Sequence, residues 1–215
     1  LLASGNDCLQ SIPAHRFDAD ALDGTVLALG AKQAHFLAHP ERFDNAYFRI
    51  SPAEAAAMDP HQRLLLEVGL DALVRSGRTD RDGLVGSEVG VYVGFTSTNE
   101  WPTLLVSKRG GVEKVGAFFT GMDSAAAAGR LSYVLGLKGP SMVTNTACSS
   151  SLVASHAAAS ALRLREATGG ALASGAGVLL DPSAFAAFAV AGMLSPRGRC
   201  HTFDVRADGY CRGEG

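Results

Sequence analysis

Between residues 89 and 180 the chain alternates strand-like and helix-like segments in the order β-α-β-α-β. Val89 to Phe95 reads as a buried strand on its β-branched and aromatic content. Gly121 to Val134 reads as an alanine-rich helix and Met142 to Asn145 as a second strand. A second helix runs to about Arg165, and Ala171 to Leu180 reads as a third strand. Two parallel strands can be joined only by a long return connection, so this alternation predicts a parallel sheet with right-handed crossovers and helices on its faces. The expected fold class is α/β.

The flanking segments are read in the same way. Asp59 can cap a helix that Pro60 begins, with Leu65, Leu66, Leu70, Leu73 and Val74 as its apolar stripe and Gly77 as its stop. Residues 78–88 predict a charged connecting loop. Asn99 to Lys114 predicts an irregular excursion around the single tryptophan, Trp101. Pro182 to Ala191 predicts a further helix, and Ser195 to Gly198 a turn. Residues 1–50 are the least regular, with breaks at Ser11 to Pro13, Asp18 to Gly24 and His39 to Arg42.

Composition excludes several classes of function. The formal net charge is −2, which offers nothing to nucleic acid or to an anionic membrane surface. No apolar run is long enough to span a bilayer as a helix, and no signal peptide is recognisable. The four cysteines, Cys8, Cys148, Cys200 and Cys211, make neither a C-x-x-C pair nor a disulfide framework, which fits the cytoplasm or another reducing compartment. The first residues, Leu1-Leu2, and the last, Arg212 to Gly215, predict a stretch cut from a longer chain at both ends.

Val143-Thr144-Asn145-Thr146-Ala147-Cys148-Ser149-Ser150-Ser151-Leu152 predicts a short strand, a tight turn and the start of a helix. Cys148 is then placed at a helix N-terminus, where unpaired N–H groups and the helix dipole favour a thiolate and can hold an oxyanion. Ser149, Ser150 and Ser151 follow it, bringing little bulk and able to satisfy N-terminal amides. The helix beyond, with Val153, Ala154, Ala157, Ala158, Ala159, Ala161 and Leu162, is apolar enough to be expected buried, so its N-terminus should face a cavity. A thiol nucleophile also needs a base. His156 lies roughly 12 Å along the same helix, at 1.5 Å per residue, and reads instead as a core histidine. His61 reads as a surface or capping residue. His15, His35 and His39 show no partner pattern. Cys200 and His201, adjacent in an extended segment, point to opposite faces and read as structural. Gly175-Ala176-Gly177 lacks the glycine-rich helix start of a dinucleotide site.

At these residues the chain resembles the β-ketoacyl synthase (ketosynthase) family, and in particular the ketosynthase domains of modular polyketide synthases. Thr146 to Leu152 matches the family's active-site cysteine motif. Flanking matches follow in order: Phe43 to Phe48 with Ile50-Ser51-Pro52, Met58 to Glu67, Gly90 to Gly94, Ala128 to Tyr133, Leu135 to Pro140, Leu194 to Cys200, and Phe203-Asp204 with Gly209 to Gly215. The resemblance implies a thiolase-like fold, layered α/β/α/β/α, of which residues 1–215 would carry the N-terminal half and the start of the second half as a partial domain. It implies that Cys148 is the catalytic residue, taking an acyl chain from a carrier-protein thioester for decarboxylative condensation with a malonyl-type extender. No cofactor is expected to bind directly, since phosphopantetheine comes with the acyl carrier protein. No metal, nucleic acid or membrane span is expected. The implied partners are the acyl carrier protein, other polyketide synthase domains and a second copy in a homodimer. The two histidines and the lysine that assist in the family match no position here and would lie beyond residue 215.

Two positions depart from the family pattern. Asn145 stands where Asp is usual, and removing a nearby negative charge favours a thiolate. Arg49 stands where a small residue is usual before Ile50-Ser51. Two alternatives to a condensing enzyme stay open: a non-elongating acyl-transfer or scaffold domain that keeps the cysteine without a histidine, and a fragment inactive as it stands.

Overall fold

A computed structural model describes residues 4–17, 32–78, 80–95, 100–109 and 119–215, apart from the side chains of 106–109 and 119. The breaks expected at Asp18 to Gly24, and residues 99 and 110–114 of the expected excursion, lie outside them. In chain order the described elements are β1 (Leu9–Ser11), β2 (Gln33–His35), α1 (Pro52–Ala57), α2 (Pro60–Arg75), α3 (Arg81–Leu84), β3 (Gly90–Gly94), α4 (Glu100–Arg109), α5 (Phe119–Met122), α6 (Ala127–Leu135), β4 (Ser141–Thr144), α7 (Ser150–Arg163), β5 (Ala171–Gly175) and α8 (Pro182–Val190). Short 3-10 turns sit at Ser124–Ala126 and Ala147–Ser149. The chain divides into two units, His39–Gly177 and a discontinuous one of Leu1–Ala38 with Val178–Gly215.

The unit His39–Gly177 is built on a parallel sheet in the order β4-β3-β5, as the alternation predicted. β3 lies in the middle and every one of its residues is buried. Its side chains alternate between faces. Val91 and Val93 join the main core with Leu65, Leu66, Leu70, Leu131 and Leu135, while Tyr92 packs with Ala154, Ala158 and Ala161 of α7. Each fully buried Val or Leu contributes about 1.5–3 kcal/mol relative to exposure. α2 forms as read: Asp59 accepts the His61 N–H at 2.9 Å, Pro60 opens the first turn, and Leu65, Leu66, Leu70 and Leu73 are buried. Val74 is 39% exposed and falls outside the stripe. The amide of Gln62, fully buried, donates to Thr120 O at 3.1 Å and Asp123 O at 2.9 Å, tying α2 to the segment before α6.

Several expectations are corrected here. The loop of 78–88 contains α3, because Asp80 caps Gly83 N–H at 2.9 Å and Leu84 is fully buried. The excursion around Trp101 is helical over Glu100–Arg109. Pro102 sits in the first turn of α4, where its missing N–H costs no bond, and Trp101 Nε1 donates to Ala57 O at 2.9 Å. The single helix expected over Gly121 to Val134 is broken at Asp123, whose carboxylate accepts the Ala125 N–H and restarts the chain as a 3-10 turn before α6. The third strand stops at Gly175, short of Leu180.

Arg49 has a left-handed backbone, φ 56, and its guanidinium pairs with Asp82 at 3.1 Å across an exposed surface. A non-glycine residue there costs about 1 kcal/mol or more, while an exposed ion pair returns only a few tenths. Arg49→Gly is therefore expected to raise stability by about 0.5–1 kcal/mol, read as a higher midpoint in chemical denaturation.

In the second unit, β1 and β2 pair antiparallel, and His35 N–H donates to Arg212 O while Glu214 N–H donates to His35 O, adding residues 212–214 as a further extended segment. Phe17, Ala34, Leu179, Phe185 and Leu194 form its core. Glu214 is the polar hub. Its side chain is fully buried and accepts from Arg16 Nη2 at 3.1 Å, Leu37 N–H at 2.7 Å and Leu179 N–H at 2.9 Å. The turn expected at Ser195 to Gly198 is present, with Gly198 N–H donating to Ser195 O at 2.9 Å.

The Arg206 guanidinium and N–H hold Asp204 down to about 2, and the Ser195 hydroxyl and Arg197 lower Asp208. Both folded values lie below the unfolded value of 3.8. Both carboxylates thus contribute stability above about pH 4 and lose it as the pH falls through their folded values. An NMR titration should place the Asp204 midpoint near 2; a midpoint near the unfolded value would show that the turn does not form.

Candidate active site

β4 delivers the chain to the turn before α7. Ala147 adopts φ 53, a 3-10 turn covers Ala147–Ser149, and α7 begins at Ser150. Cys148 therefore sits at the helix start, as expected, at the C-terminal end of a parallel sheet, where α/β proteins commonly bind ligands. Two glycines make the approach possible. A Cβ on Gly94, at the end of β3, would lie 2.5 Å from Ser150 C and from Ser151 N. One on Gly175, at the end of β5, would lie 2.4 Å from Ser151 Oγ.

The turn is held by its own side chains. Asn145 Oδ1 accepts the Ala147 N–H at 3.1 Å. Ser150 Oγ accepts the Thr146 N–H at 2.9 Å and donates to Ala147 O at 2.7 Å. Ser149 Oγ donates to Thr146 O at 2.9 Å. No hydrogen bond among the described residues engages the Cys148 N–H, so it is free to meet a developing oxyanion.

Cys148 is exposed rather than set in an enclosed cavity. Within residues 1–215, α7 buries the narrow stripe Ser150, Ala154, Ala158 and Ala161. Leu152, Val153 and Leu162, on its other sides, are 74%, 37% and 47% exposed. The alanine content reflects close packing on Tyr92 and the sheet, and does not make the helix buried all round.

The histidines also differ from expectation. His61 is buried, with Nδ1 2.6 Å from Asp59 Oδ1 and its ring 5.1 Å from that of Phe95. His156 is exposed, because it falls outside the buried stripe of α7. His39 lies 3.3 Å from Glu41, and His35 4.0 Å from Asp7. His15 is exposed and His201 half-buried. Among the described residues no histidine hydrogen-bonds Cys148. Cys8 and Cys200 are exposed, and Cys211 N–H donates to Cys200 Sγ at 3.2 Å. Burial pushes the Cys211 thiol up, with the neighbouring Cys200 adding to it, which makes Cys211 a poor nucleophile.

Within the same unit a cleft of about 640 Å³ is walled by Phe48, Ile50, Glu54, Arg130, Tyr133 and Val134. Arg130 crosses it, donating to Glu54 at 2.6 Å and Thr120 at 3.1 Å. No residue of the Cys148 turn lines this cleft. Of the three serines expected to satisfy amides at the helix start, Ser150 does so through the Thr146 N–H; the roles of Asn145 at the turn and of Glu214 as a hub were not expected. Serine and asparagine beside a turn were the available signal.

A family model described as the N-terminal domain of β-ketoacyl synthase matches residues 1–215. One polypeptide of a phenolphthiocerol/phthiocerol polyketide synthase from Mycobacterium tuberculosis is 46% identical over all of this chain and 10% of its own. Another polypeptide of that synthase, from the same organism, is 42% identical, with 14% of its length covered. The chain thus spans a small part of these relatives. A ketosynthase from module 6 of the bacillaene synthase of Bacillus subtilis has a similar structure, with a TM-score of 0.81 and 34% identity, over 100% of this chain and 34% of that one. An oxazolomycin ketosynthase domain from Streptomyces albus gives a TM-score of 0.82 at 33% identity, over 97% and 36%.

Proposed function

Since the chain belongs to the β-ketoacyl synthase family, as its N-terminal domain with a thiolase-like α/β fold, we propose that Cys148 is the acyl-accepting nucleophile of a polyketide-type condensing enzyme. The observation that carries this reading is the exposed thiol at the start of α7, beside an N–H that no described group occupies.

The thiolate attacks the carbonyl of an acyl thioester carried on the phosphopantetheine arm of an acyl carrier protein. A C–S bond forms, and the carbonyl oxygen becomes an oxyanion that the Cys148 N–H stabilises by about 3 kcal/mol. Collapse of the intermediate releases the carrier thiol, which takes up a proton, and leaves the acyl group on Cys148. Covalent capture divides one difficult transfer into two easier ones. Decarboxylation of a malonyl-type extender then releases carbon dioxide and supplies a carbanion that attacks the Cys148 thioester; the C–S bond breaks, the Cys148 thiolate leaves, and the chain is longer by two carbons, in polyketide or fatty-acid synthesis.

The partners proposed are the acyl carrier protein, neighbouring synthase domains and a second copy of the chain. β4 supports the last of these, since among the described residues it is a sheet edge, with Ser141 and Met142 exposed. Among the described residues no helix is long and apolar enough to cross a membrane; a reducing compartment such as the cytoplasm is proposed from the unpaired cysteines.

The test is incubation of the full-length protein with an acyl carrier protein loaded with a radiolabelled acyl group. Label on the peptide containing Cys148, absent in Cys148→Ser under thioester-stable conditions, is the expected result. Label on other cysteines alone would sink the reading. A second reading, a non-elongating acyl-transfer domain, would load Cys148 in the same way without condensing. Release of carbon dioxide from malonyl carrier protein separates the two, since only the condensing enzyme performs it.

A further inference from the structure

We propose that Ser150 is a positioning residue for acyl transfer at Cys148, its hydroxyl fixing the peptide that aims the Cys148 N–H at the oxyanion. This rests on the acyl-transfer reading of Cys148. The argument begins with the planarity of the peptide bond. The Ala147 C=O and the Cys148 N–H belong to one rigid plane and point in opposite directions. Whatever pins the carbonyl therefore sets the direction of the N–H.

Ser150 pins it twice. Its backbone N–H and its hydroxyl both donate to Ala147 O, the hydroxyl at 2.7 Å. The same hydroxyl accepts the Thr146 N–H at 2.9 Å, so one atom grips the chain ahead of Cys148 at two points. Ser150 is 4% exposed, and its own backbone is wedged against the end of β3, where Gly94 leaves no room for a side chain. The clamp is thus anchored in the sheet. The clamp is needed because Ala147 carries φ 53, a left-handed conformation that an alanine leaves when released. Asn145 Oδ1 provides a weaker hold on the other side of the strained residue, through the Ala147 N–H at 3.1 Å.

This assigns distinct effects to two reactions of the same thiol. Acylation by a thioester passes through an oxyanion and depends on the direction of the N–H. Alkylation by iodoacetamide displaces iodide with no oxyanion and does not. A general loosening of the helix start would slow both together.

The experiment measures both rates at Cys148 by peptide mass spectrometry, in the full-length protein, with hexanoyl-N-acetylcysteamine thioester as acyl donor. In Ser150→Ala, acylation is expected to fall about tenfold or more, since misdirecting one oxyanion donor forfeits part of the hundredfold or greater factor it supplies, while alkylation changes by less than about twofold. Asn145→Ala, a change on the exposed side of the turn, is expected to lower the same ratio by a smaller factor. A ratio of the two rates that stays at the wild-type value in Ser150→Ala overturns the proposal. If Ser150→Ala does not fold, Ser150→Cys, which keeps the shape and weakens both bonds, decides, and an unchanged ratio there overturns it equally. A wild-type protein whose Cys148 is alkylated but never acylated would instead refute the acyl-transfer reading, which is a different result from an unmoved ratio.

Discussion

Glu214→Ala is expected to destabilise the protein by about 3–5 kcal/mol, the range found when one partner of a buried ion pair is removed. The Glu214 carboxylate has no exposed surface and the Arg16 side chain is 7% exposed, so neither can turn to water without opening the structure. The substitution leaves the Arg16 guanidinium with Leu37 O, 2.8 Å away, as its remaining partner, and strips the Leu37 and Leu179 N–H groups of their acceptor. Each orphaned buried donor adds its own desolvation cost, about 1–3 kcal/mol. Glu214→Gln should be milder, because an amide oxygen still accepts one or two of these bonds while the charge is lost. The measurement is denaturation in urea, with hydrogen exchange at Leu37 and Leu179 to show where the loss is felt. Equal midpoints for wild type and Glu214→Ala would mean that the carboxylate is not the hub described.

Gly94→Ala should be more damaging to the reaction than to the fold. The new methyl would sit 2.5 Å from Ser150 C and Ser151 N, both backbone atoms with no rotamer to relieve the clash. Overpacking of this kind costs about 1–3 kcal/mol, occasionally more. The only relief is movement of β3 or of the start of α7, and the latter carries Cys148. A displacement of about 1 Å at reacting groups can cost about a hundredfold in rate. Acyl loading of Cys148 in Gly94→Ala is therefore expected to fall by about two orders of magnitude, in a protein that still unfolds cooperatively. Wild-type loading would show that the strand end has slack that the structure does not contain.

Much of this was readable from the sequence, for reasons that differ between elements. β3 announced itself because its residues are buried on both faces, so Val91, Tyr92 and Val93 needed no alternation to stand out. The start of α2 carried its own chemistry in Asp59 and Pro60. The Cys148 turn was legible because a strand, a small-residue turn and a helix follow one another without a gap. α4 was missed because Pro102 reads as a breaker until its place in the first turn is known. In α7, alanine fits equally a helix buried all round and one packed closely on a single side; within residues 1–215 the Ala154, Ala158 and Ala161 stripe is the side that packs. Glu214 could not be found by local reading at all. Its partners are Arg16, Leu37 and Leu179, and nothing in periodicity or composition links segments so far apart.

The discontinuous unit has a consequence for synthesis. Leu1–Ala38 emerges from the ribosome before His39–Gly177, yet beyond the β1–β2 pairing it packs with residues of Val178–Gly215. β1 and β2 can form a hairpin early, but isolated two-stranded ribbons are marginal in water. Their core partners Leu179, Phe185 and Leu194 come only after the whole of His39–Gly177 has been made. The nascent N-terminal segment must therefore wait, with Ile12, Phe17 and Ala34 unsheltered, while β3, β4 and β5 are made. Glu214, made later still, supplies the bonds that close the interval. The arrangement makes truncation shortly before Glu214 costlier than its size suggests, since Arg16, Leu37 and Leu179 all bond to its carboxylate.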